Sequence, residues 1–438
     1  MKRILLRFIV VSTMLLALLP VGAAGKIGTV NLNVVLKSDV TAKVLKVLKG
    51  HGTVLTVFEE LDALTMKVRE DKVALIVALP FVEAVSEDAE RNGAPIDTVA
   101  LTDFSEGRST WNLDAINVTD FGTNIRQVDY DGTGVYVAVL DTGLHDSWRK
   151  YFPEERIAVE YAASFSGGAG LAGTVSFQPN KWEHDQNGHG THVTSTILGF
   201  NLRGAAVNGV APNVKIIPVK VLNQNGRGWS SVIAMGITYI ANLKLNELKD
   251  VPVVINMSLG GSALDAIEQE AIDYAIAAGV IIVASAGNSG PNGRMGYPGA
   301  YKPVISVASA GWKGEWLPNF TWTLNVEEGT ETDKFYISDF SSRAFEGQDL
   351  DVAAPGSLIV GPYQLNSGNL TSYYYLGGTS MASPHVAGIV ALMAQKNPAL
   401  TPLQAETILQ DAAVPMAEGP SAAGHGFITA DAALGLTP

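Results

Sequence analysis

Three residues are set where side-chain chemistry could occur. Asp141 ends an apolar run at 135–140 and is followed by Thr142-Gly143. A carboxylate there can cap a turn, or orient and charge-balance a base. His189 stands between Gly188 and Gly190, in Asp185-Gln186-Asn187-Gly188-His189-Gly190-Thr191-His192. Flanking glycines clear side chains from an imidazole that has to approach a substrate. His184, His189 and His192 together have no recognised zinc-ligand spacing. Ser380 lies in Gly377-Gly378-Thr379-Ser380-Met381-Ala382, ahead of a helical run at 386–394. A serine at a helix start can serve as an N-cap, and the same position puts free N–H groups and the helix dipole beside a developing oxyanion. Residues 378–382 approach the G-x-S-x-G elbow of α/β-hydrolases. That family orders its triad Ser, acid, His, whereas only His385 and His425 follow Ser380 here.

The elements that must hold these residues read as alternating strands and helices. Apolar, β-branched runs at 135–140, 214–219, 253–257 and 280–286 suit strands buried on both faces, with helical patterns at 230–243 and 264–278. The fold class expected is α/β, a doubly wound parallel sheet. In such sheets ligands bind beyond the carboxyl ends of the strands, which singles out Asp141, residues 256–261 and Gly287-Asn288. Gly132-Thr133-Gly134 precedes its strand rather than joining strand to helix, so it makes a weak nucleotide motif.

Upstream, strands expected at 30–36, 54–58, 64–68 and 81–85, with helices at 41–48 and 71–79, give the order β-α-β-β-α-β, a small ferredoxin-like α+β unit. Residues 87–108, charged and small with Gly93, Pro95 and Gly107, have linker composition. The start of the chain joins Lys2, Arg3 and Arg7 to an apolar run at 8–19 and to Gly22-Ala23-Ala24. That run falls short of the roughly twenty residues that span a bilayer, so it reads as a secretory signal in preference to an uncleaved anchor.

The 438 residues are 47% hydrophobic and 17% charged, ample for a large core and unlike disorder. Thirty basic against forty-three acidic residues leave a net charge of −13, with residues 101–438 at −14 and the first hundred at +1. Such a balance disfavours a phosphate- or nucleic-acid-binding surface, and suits a solubilising surface or local calcium sites. The absence of cysteine removes disulfides, thiolate zinc sites and a cysteine nucleophile.

Acid, base and nucleophile in this order, each bracketed by Gly or Thr, resemble the subtilisin-like serine proteases (subtilases). Asp141-Thr142-Gly143, His189-Gly190-Thr191-His192-Val193 and Gly378-Thr379-Ser380-Met381-Ala382 match that family's three signatures. Gly209-Val210-Ala211-Pro212, residues 254–261, 284–288, Gly296-Tyr297-Pro298 and Ala353-Ala354-Pro355-Gly356 are similar to further family segments, so the likeness covers about 115–435.

The resemblance implies a secreted serine endopeptidase with Ser380 as nucleophile, His189 as general base and Asp141 as its orienting acid. Asn288 would donate to the oxyanion. Ser258, Leu259, Gly260, Ala284, Ser285 and Ala286 would wall the pocket for the side chain before the cut, with Gly296 as its floor. With no acid among them, large apolar or aromatic side chains are expected there. Residues 25–90 are similar to the family's propeptide, which implies an intramolecular inhibitor and folding aid.

The organisation expected is therefore a signal at 1–24, a propeptide at 25–90, a linker with the maturation bond at 91–112 and a catalytic domain at 113–438. Its partners would be protein and peptide substrates, with no nucleic acid, no membrane after signal removal, and a monomeric state. No cofactor is required for the chemistry, and the resemblance is compatible with structural calcium whose ligands the sequence does not name. A neutral His189 implies activity at neutral to alkaline pH.

Departures from the family pattern are the stretch at 148–182, expected as a rim of the cleft or an inert surface excursion, the stretch at 311–334, expected as a recognition loop, a calcium-holding hairpin or a surface excursion, the segment Val193-Thr194-Ser195 after the histidine motif, and the loop at 200–207. Asn319-Phe320-Thr321 and Asn369-Leu370-Thr371 are glycosylation sequons. A catalytically silent binding protein of the same shape, and an esterase, are the competing readings; the intact triad opposes the first and motif order the second.

Overall fold

The apolar runs pair into one sheet. The computed structural model describes residues 28–100, 111–120, 125–168, 170–202, 204–313, 334–366 and 370–438. The signal at 1–24, Asn319 and Asn369 lie outside them, as do residues 101–110 of the linker and most of the stretch at 311–334.

β7 (Tyr136–Asp141) is the central strand. β11 (Lys215–Lys220) lies beside it, with the short β8 (Ala163–Ser164) beyond; on the other side follow β13 (Val253–Met257), β14 (Ile281–Ser285) and β15 (Ile305–Trp312). All of these pairs are parallel, as is β17 (Val352–Pro355) against β15. β16 (Phe335–Ile337) alone returns antiparallel on the end of β15, closing the base of the 311–334 stretch. Chain order reverses across β7, so the crevice at the carboxyl ends of β7 and β13 is a topological switch point.

Strand alternation sends Val137 and Val139 to one face and Ala138 and Leu140 to the other. The first face packs under α4 (His189–Leu198) and α7 (Thr379–Lys396), the second under α5 (Ser230–Leu245) and α6 (Ala266–Ala277). The doubly wound parallel sheet expected from the sequence is the fold observed.

The N-terminal unit has the expected element order: β1 (Thr29–Leu36), α1 (Ala42–Lys49), β2 (Gly52–Phe58), β3 (Ala63–Arg69), α2 (Val73–Val77) and β4 (Val82–Glu87). Its sheet runs β2-β3-β1-β4 with every neighbour antiparallel. The Thr41 hydroxyl caps α1 by accepting from the Val44 N–H. Leu32, Val34 and Leu36 join Leu48 and Ile76 in a separate core. Val35, Phe58 and Ala63 face the other way and pack with the residues of α5 and α6.

Buried polar groups fasten that contact. Asn33 Nδ2 donates to Asp265 (2.8 Å) and more weakly to Asp88 and Ser230 (3.3 Å each). Asp265 caps α6 from its own chain position, accepting from the N–H groups of Ile267 and Glu268. α5 has no side-chain cap of its own; Asp88 supplies one from outside, accepting from Ser231 N–H and both serine hydroxyls.

Two expectations need correction. Part of the expected linker is structured: β5 (Glu90–Asn92) pairs antiparallel with β12 (Arg227–Trp229), and β6 (Asp97–Ala100) with β19 (Leu370–Gly377). Such short strands are held by main-chain bonds to distant edges, which leaves no apolar alternation to read. The stretch at 148–182 is neither surface nor rim alone. It buries Trp148, Phe165 and Trp182, adds β8 to the sheet, and touches the N-terminal unit where Gly173 accepts from Thr56 and Thr65 hydroxyls.

Truncating Asn33→Ala leaves both cores intact but strips a donor from a buried carboxylate, at a cost of about 1–3 kcal/mol. Hydrogen exchange of the Asn92 and Gly93 amides is expected to quicken roughly 5- to 150-fold; unchanged protection would show that the docking rests elsewhere.

Candidate active site

Asp141, the last residue of β7, is fully buried. Its Oδ1 accepts from the Thr142 N–H (2.7 Å), and its two oxygens lie 2.8 and 2.9 Å from His189 Nδ1. A carboxylate can only accept, so Nδ1 carries the imidazole proton and Nε2 is left as the acceptor. Nε2 has no hydrogen-bond partner among the described residues.

Close backbone approach allows this pairing. Gly188 precedes α4 with φ of 93°, and a side chain on Gly190 would strike the Gly143 carbonyl oxygen at 2.5 Å. Thr142 Oγ1 accepts from Gly190 N–H, while Asp185 accepts from the N–H groups of Asn187, Gly188 and Thr191 and from the Thr191 hydroxyl. The turn into α4 is thereby fixed from two sides.

Burial alone would push the His189 pKa down. The charge and hydrogen bond of Asp141 outweigh it, with help from Asp185, and hold it above the ordinary value. Lys220, buried beside them, donates to the Thr142 and Leu222 carbonyls; burial lowers its pKa, and Asp185 and Asp141 oppose that.

Ser380 is the second residue of α7, with Gly378 as the residue before the helix. Its hydroxyl donates to the Ser258 carbonyl (3.3 Å) rather than to His189. Asn288, just past β14, accepts from both the N–H (2.9 Å) and the hydroxyl (2.8 Å) of Thr379 through Oδ1. Two donors on one atom set the amide orientation and turn Nδ2 away from Thr379. A Cβ on Gly378 would lie 3.6 Å from that Nδ2.

The remaining expected pocket residues also converge. Ser285 Oγ donates to the Leu259 carbonyl, Gly296 N–H to Ala286, and Gly261 exchanges main-chain bonds with Tyr297. Leu259, Ala284 and Ala286 are buried, and a Cβ on Gly296 would press on the Gly261 carbonyl oxygen at 3.3 Å. Gly260 is different: it exchanges both main-chain bonds (2.9 Å each) with Asn92.

Asn92 begins a segment laid across these groups. Gly93 N–H donates to Gly226 O (2.8 Å), and a Cβ there would meet Ser258 O at 2.9 Å and His189 Cε1 at 3.4 Å. Pro95 Cα lies 3.7 Å from the Gly378 Cβ position, and Ile96 N–H donates to Gly377 O (2.7 Å). Ala94, between these anchors, is set beside the start of the Ser380 helix.

Of the other histidines, His192 and His385 are buried and structural, and His184 is exposed. His192 Nε2 is tied to the Ile359 carbonyl and its pKa is pushed to about 3 chiefly by burial. His385 is held between Met381 O and Asn112 and is pushed by burial to about 4, which removes it as a base for Ser380. Among the described residues no group of three or more His, Asp or Glu side chains lies together to hold a metal ion, so neither a zinc cluster nor a carboxylate cage for calcium is found there. Within 200–207, β9 (Gly199–Leu202) and β10 (Ala205–Asn208) pair antiparallel.

Residues that the sequence reading did not single out are Thr142, Asp185, Lys220 and Thr379, which position the others, and the buried pair Arg91–Glu268. The first two and Thr379 sit inside or beside the signature motifs. Lys220 lies in Val219-Lys220-Val221-Leu222, a segment similar to the family's, as a charged residue inside a β-branched run, and the Arg91–Glu268 pair is marked by nothing local.

Comparison with known proteins agrees with this geometry. The sequence profile of the Subtilase family matches residues 132–429. Subtilisin DY from Bacillus licheniformis is 35% identical over 307 residues, covering 69% of this chain and 92% of that protein. A thermostable alkaline protease from Halalkalibacterium halodurans is 30% identical over 373 residues, covering 85% and 83%. Among solved structures, fervidolysin from Fervidobacterium pennivorans, a keratinolytic enzyme related to subtilisin, superposes with a TM-score of 0.68 at 25% identity, over 95% of this chain and 62% of that one. With the sheet, the order of the three motifs and the profile in agreement, the chain belongs to the subtilase family of serine peptidases.

Proposed function

We propose that the protein is a secreted endopeptidase made as a self-processing precursor, in which Asp141, His189 and Ser380 act as a triad. The observation that carries this reading is the chain segment around Ala94, which is bonded to Gly260 at Asn92 and to Gly377 at Ile96 and passes His189 and the start of the Ser380 helix in the manner of a substrate.

Ser380 Oγ attacks the scissile carbonyl once its proton passes to the free Nε2 of His189. The imidazolium formed is stabilised by Asp141 and returns the proton to the leaving amine; water then repeats the sequence on the acyl-enzyme. Asn288 Nδ2 and the Ser380 N–H donate to the tetrahedral oxyanion. For this, Ser380 Oγ has to turn from Ser258 O toward Nε2.

Within the precursor the bond presented is Ala94–Pro95, and residues 28–94 act as the inhibitory, fold-assisting segment. The side chain before the cut would enter a pocket walled by Ser258, Leu259, Gly260, Ala284, Ser285 and Ala286 over Gly296, and with no acid among them the pocket would favour larger apolar or aromatic side chains than that of Ala94. Secretion rests on the sequence of residues 1–24. The enzyme works as a monomer on protein and peptide substrates.

Intact mass decides between self-processing and trimming by another protease. Wild type expressed without its signal is expected to lose everything before Pro95, while Ser380→Ala stays whole; identical cutting of both would overturn the self-processing reading. Asn288→Ala is expected to lower kcat by about 100- to 1,000-fold with little change in KM. Because the base is the neutral imidazole and its pKa is raised, kcat/KM should fall as pH drops through a point above about 6.5 and level off on the alkaline side. Asp141→Asn should cost about 10,000-fold in kcat. Peak activity under acid conditions would contradict the assignment of His189.

A further inference from the structure

Glu268 is a fully buried acid on α6, whose other inward residues, Ile267, Ala271, Ile272 and Ala275, are apolar. One guanidinium answers it. Arg91 Nε lies 3.1 and 3.2 Å from the two carboxylate oxygens, and Nη2 bonds one of them as well. Nη2 also donates to the Ala263 carbonyl (3.0 Å) and Nη1 to that of Glu90 (3.2 Å). Both side chains are 0% exposed. A Cβ on Gly261 would come 2.7 Å from Arg91 Nη1 and 3.3 Å from its Cδ, so the absent side chain is what makes room.

The position of Arg91 in the chain gives this pair its meaning. Arg91 sits in β5 opposite Gly228, one residue before the Asn92–Gly260 pairing and two before Gly93, which lies against His189. Its side chain therefore leaves the segment threaded through the cleft, three residues ahead of Ala94. Main-chain pairing of that segment to β12 and Gly260 accepts any sequence, whereas side-chain pockets select. A carboxylate flanked by a carbonyl and closed off from water matches the planar fork of arginine; lysine, a point charge, cannot make the same set of bonds. A leucine in that place would leave Glu268 without its counter-charge, the costly way to break a buried pair. Asp265, at the start of the same helix, lies near enough to add to the attraction for a cation.

Resting on the protease reading above, we propose that Glu268 is a specificity determinant of the cleft, selecting substrates that carry arginine three residues before the residue whose carbonyl is attacked. Arg91 is the first such arginine, supplied by the precursor itself. The enzyme then reads two side chains: an apolar one at the cut and an arginine three residues upstream of it.

The test compares three chromogenic anilides, Arg-Ala-Gly-Phe, Leu-Ala-Gly-Phe and Ala-Gly-Phe, on the full chain after self-processing and on its Glu268→Leu variant. The readout is the ratio of kcat/KM for the Arg and Leu peptides within each protein, which is independent of the active fraction. Wild type is expected to favour Arg by about tenfold or more, and Glu268→Leu to bring the ratio to about one or invert it. Equal rates on the two tetrapeptides in wild type, with the tripeptide still hydrolysed, overturn the selectivity alone, whether or not the variant folds. Hydrolysis of none of the three overturns the protease reading, and the selectivity with it.

Discussion

A carboxylate removed from water must be answered by donors, and the reactive end of the sheet is arranged around that demand at Asp141. Desolvating such a group costs several kcal/mol unless its oxygens are met. Here the answer comes from the adjacent Thr142 N–H and from His189, with Lys220 close enough to contribute charge. For the imidazole to arrive, α4 must begin beside the end of β7, so Gly188 takes a left-handed turn and Gly190 gives up its side chain against Gly143. The same pairing that satisfies Asp141 fixes the His189 tautomer and leaves Nε2 free. Satisfying the fold and preparing a base are therefore one event, and the neighbouring polar residues Thr142 and Asp185 serve both.

Substrate-side geometry follows a second rule. The edges at β12, Gly260 and β19 offer main-chain donors and acceptors to any extended chain, and the N-terminal segment uses all of them between Glu90 and Ala100. Recognition of that kind is indifferent to sequence. Discrimination is left to the few side chains that leave the strand, of which Arg91 is fully enclosed and Ala94 is not.

How much of this the sequence discloses depends on how local the cause is. Four strands of the central sheet, β7, β11, β13 and β14, are legible because burial on both faces demands continuous β-branched runs, whereas β8, β15, β16 and β17 are not. The three motifs are legible because close approach demands glycines within two positions of Asp141, His189 and Ser380. β5 and β6 are not, since three or four residues held by distant edges need no pattern of their own. Glu268 is a single acid in a helix that otherwise reads as ordinary, and its partner lies 177 positions away. The stretch at 148–182 reads as an excursion because its buried Trp148, Phe165 and Trp182 are spaced without period, although all three belong to the core clusters. The hydroxyl of Ser380 shows the converse limit: the motif names the nucleophile, but the bond it makes to Ser258 O is a rotamer that no motif encodes.

The placement of these contacts also bears on what a cut at Ala94–Pro95 would accomplish. Everything that fastens the N-terminal unit lies upstream of that bond: the Arg91–Glu268 pair, the Asp88 cap on α5, Asn33 on Asp265, and the apolar contact of Val35, Phe58 and Ala63 with the α5 and α6 side of the core. Only β6 and its pairing to β19 lie downstream. Hydrolysis would thus free the downstream strand while leaving the upstream grip intact, with Arg91 still holding the cleft. On this reading the cut converts a covalent precursor into a non-covalent complex, and activity waits on a second event, the departure or destruction of residues 28–94. The same buried charge pair that aligns the segment for cleavage is then what delays its release, so selectivity for arginine and inhibition by the precursor are two consequences of one pocket.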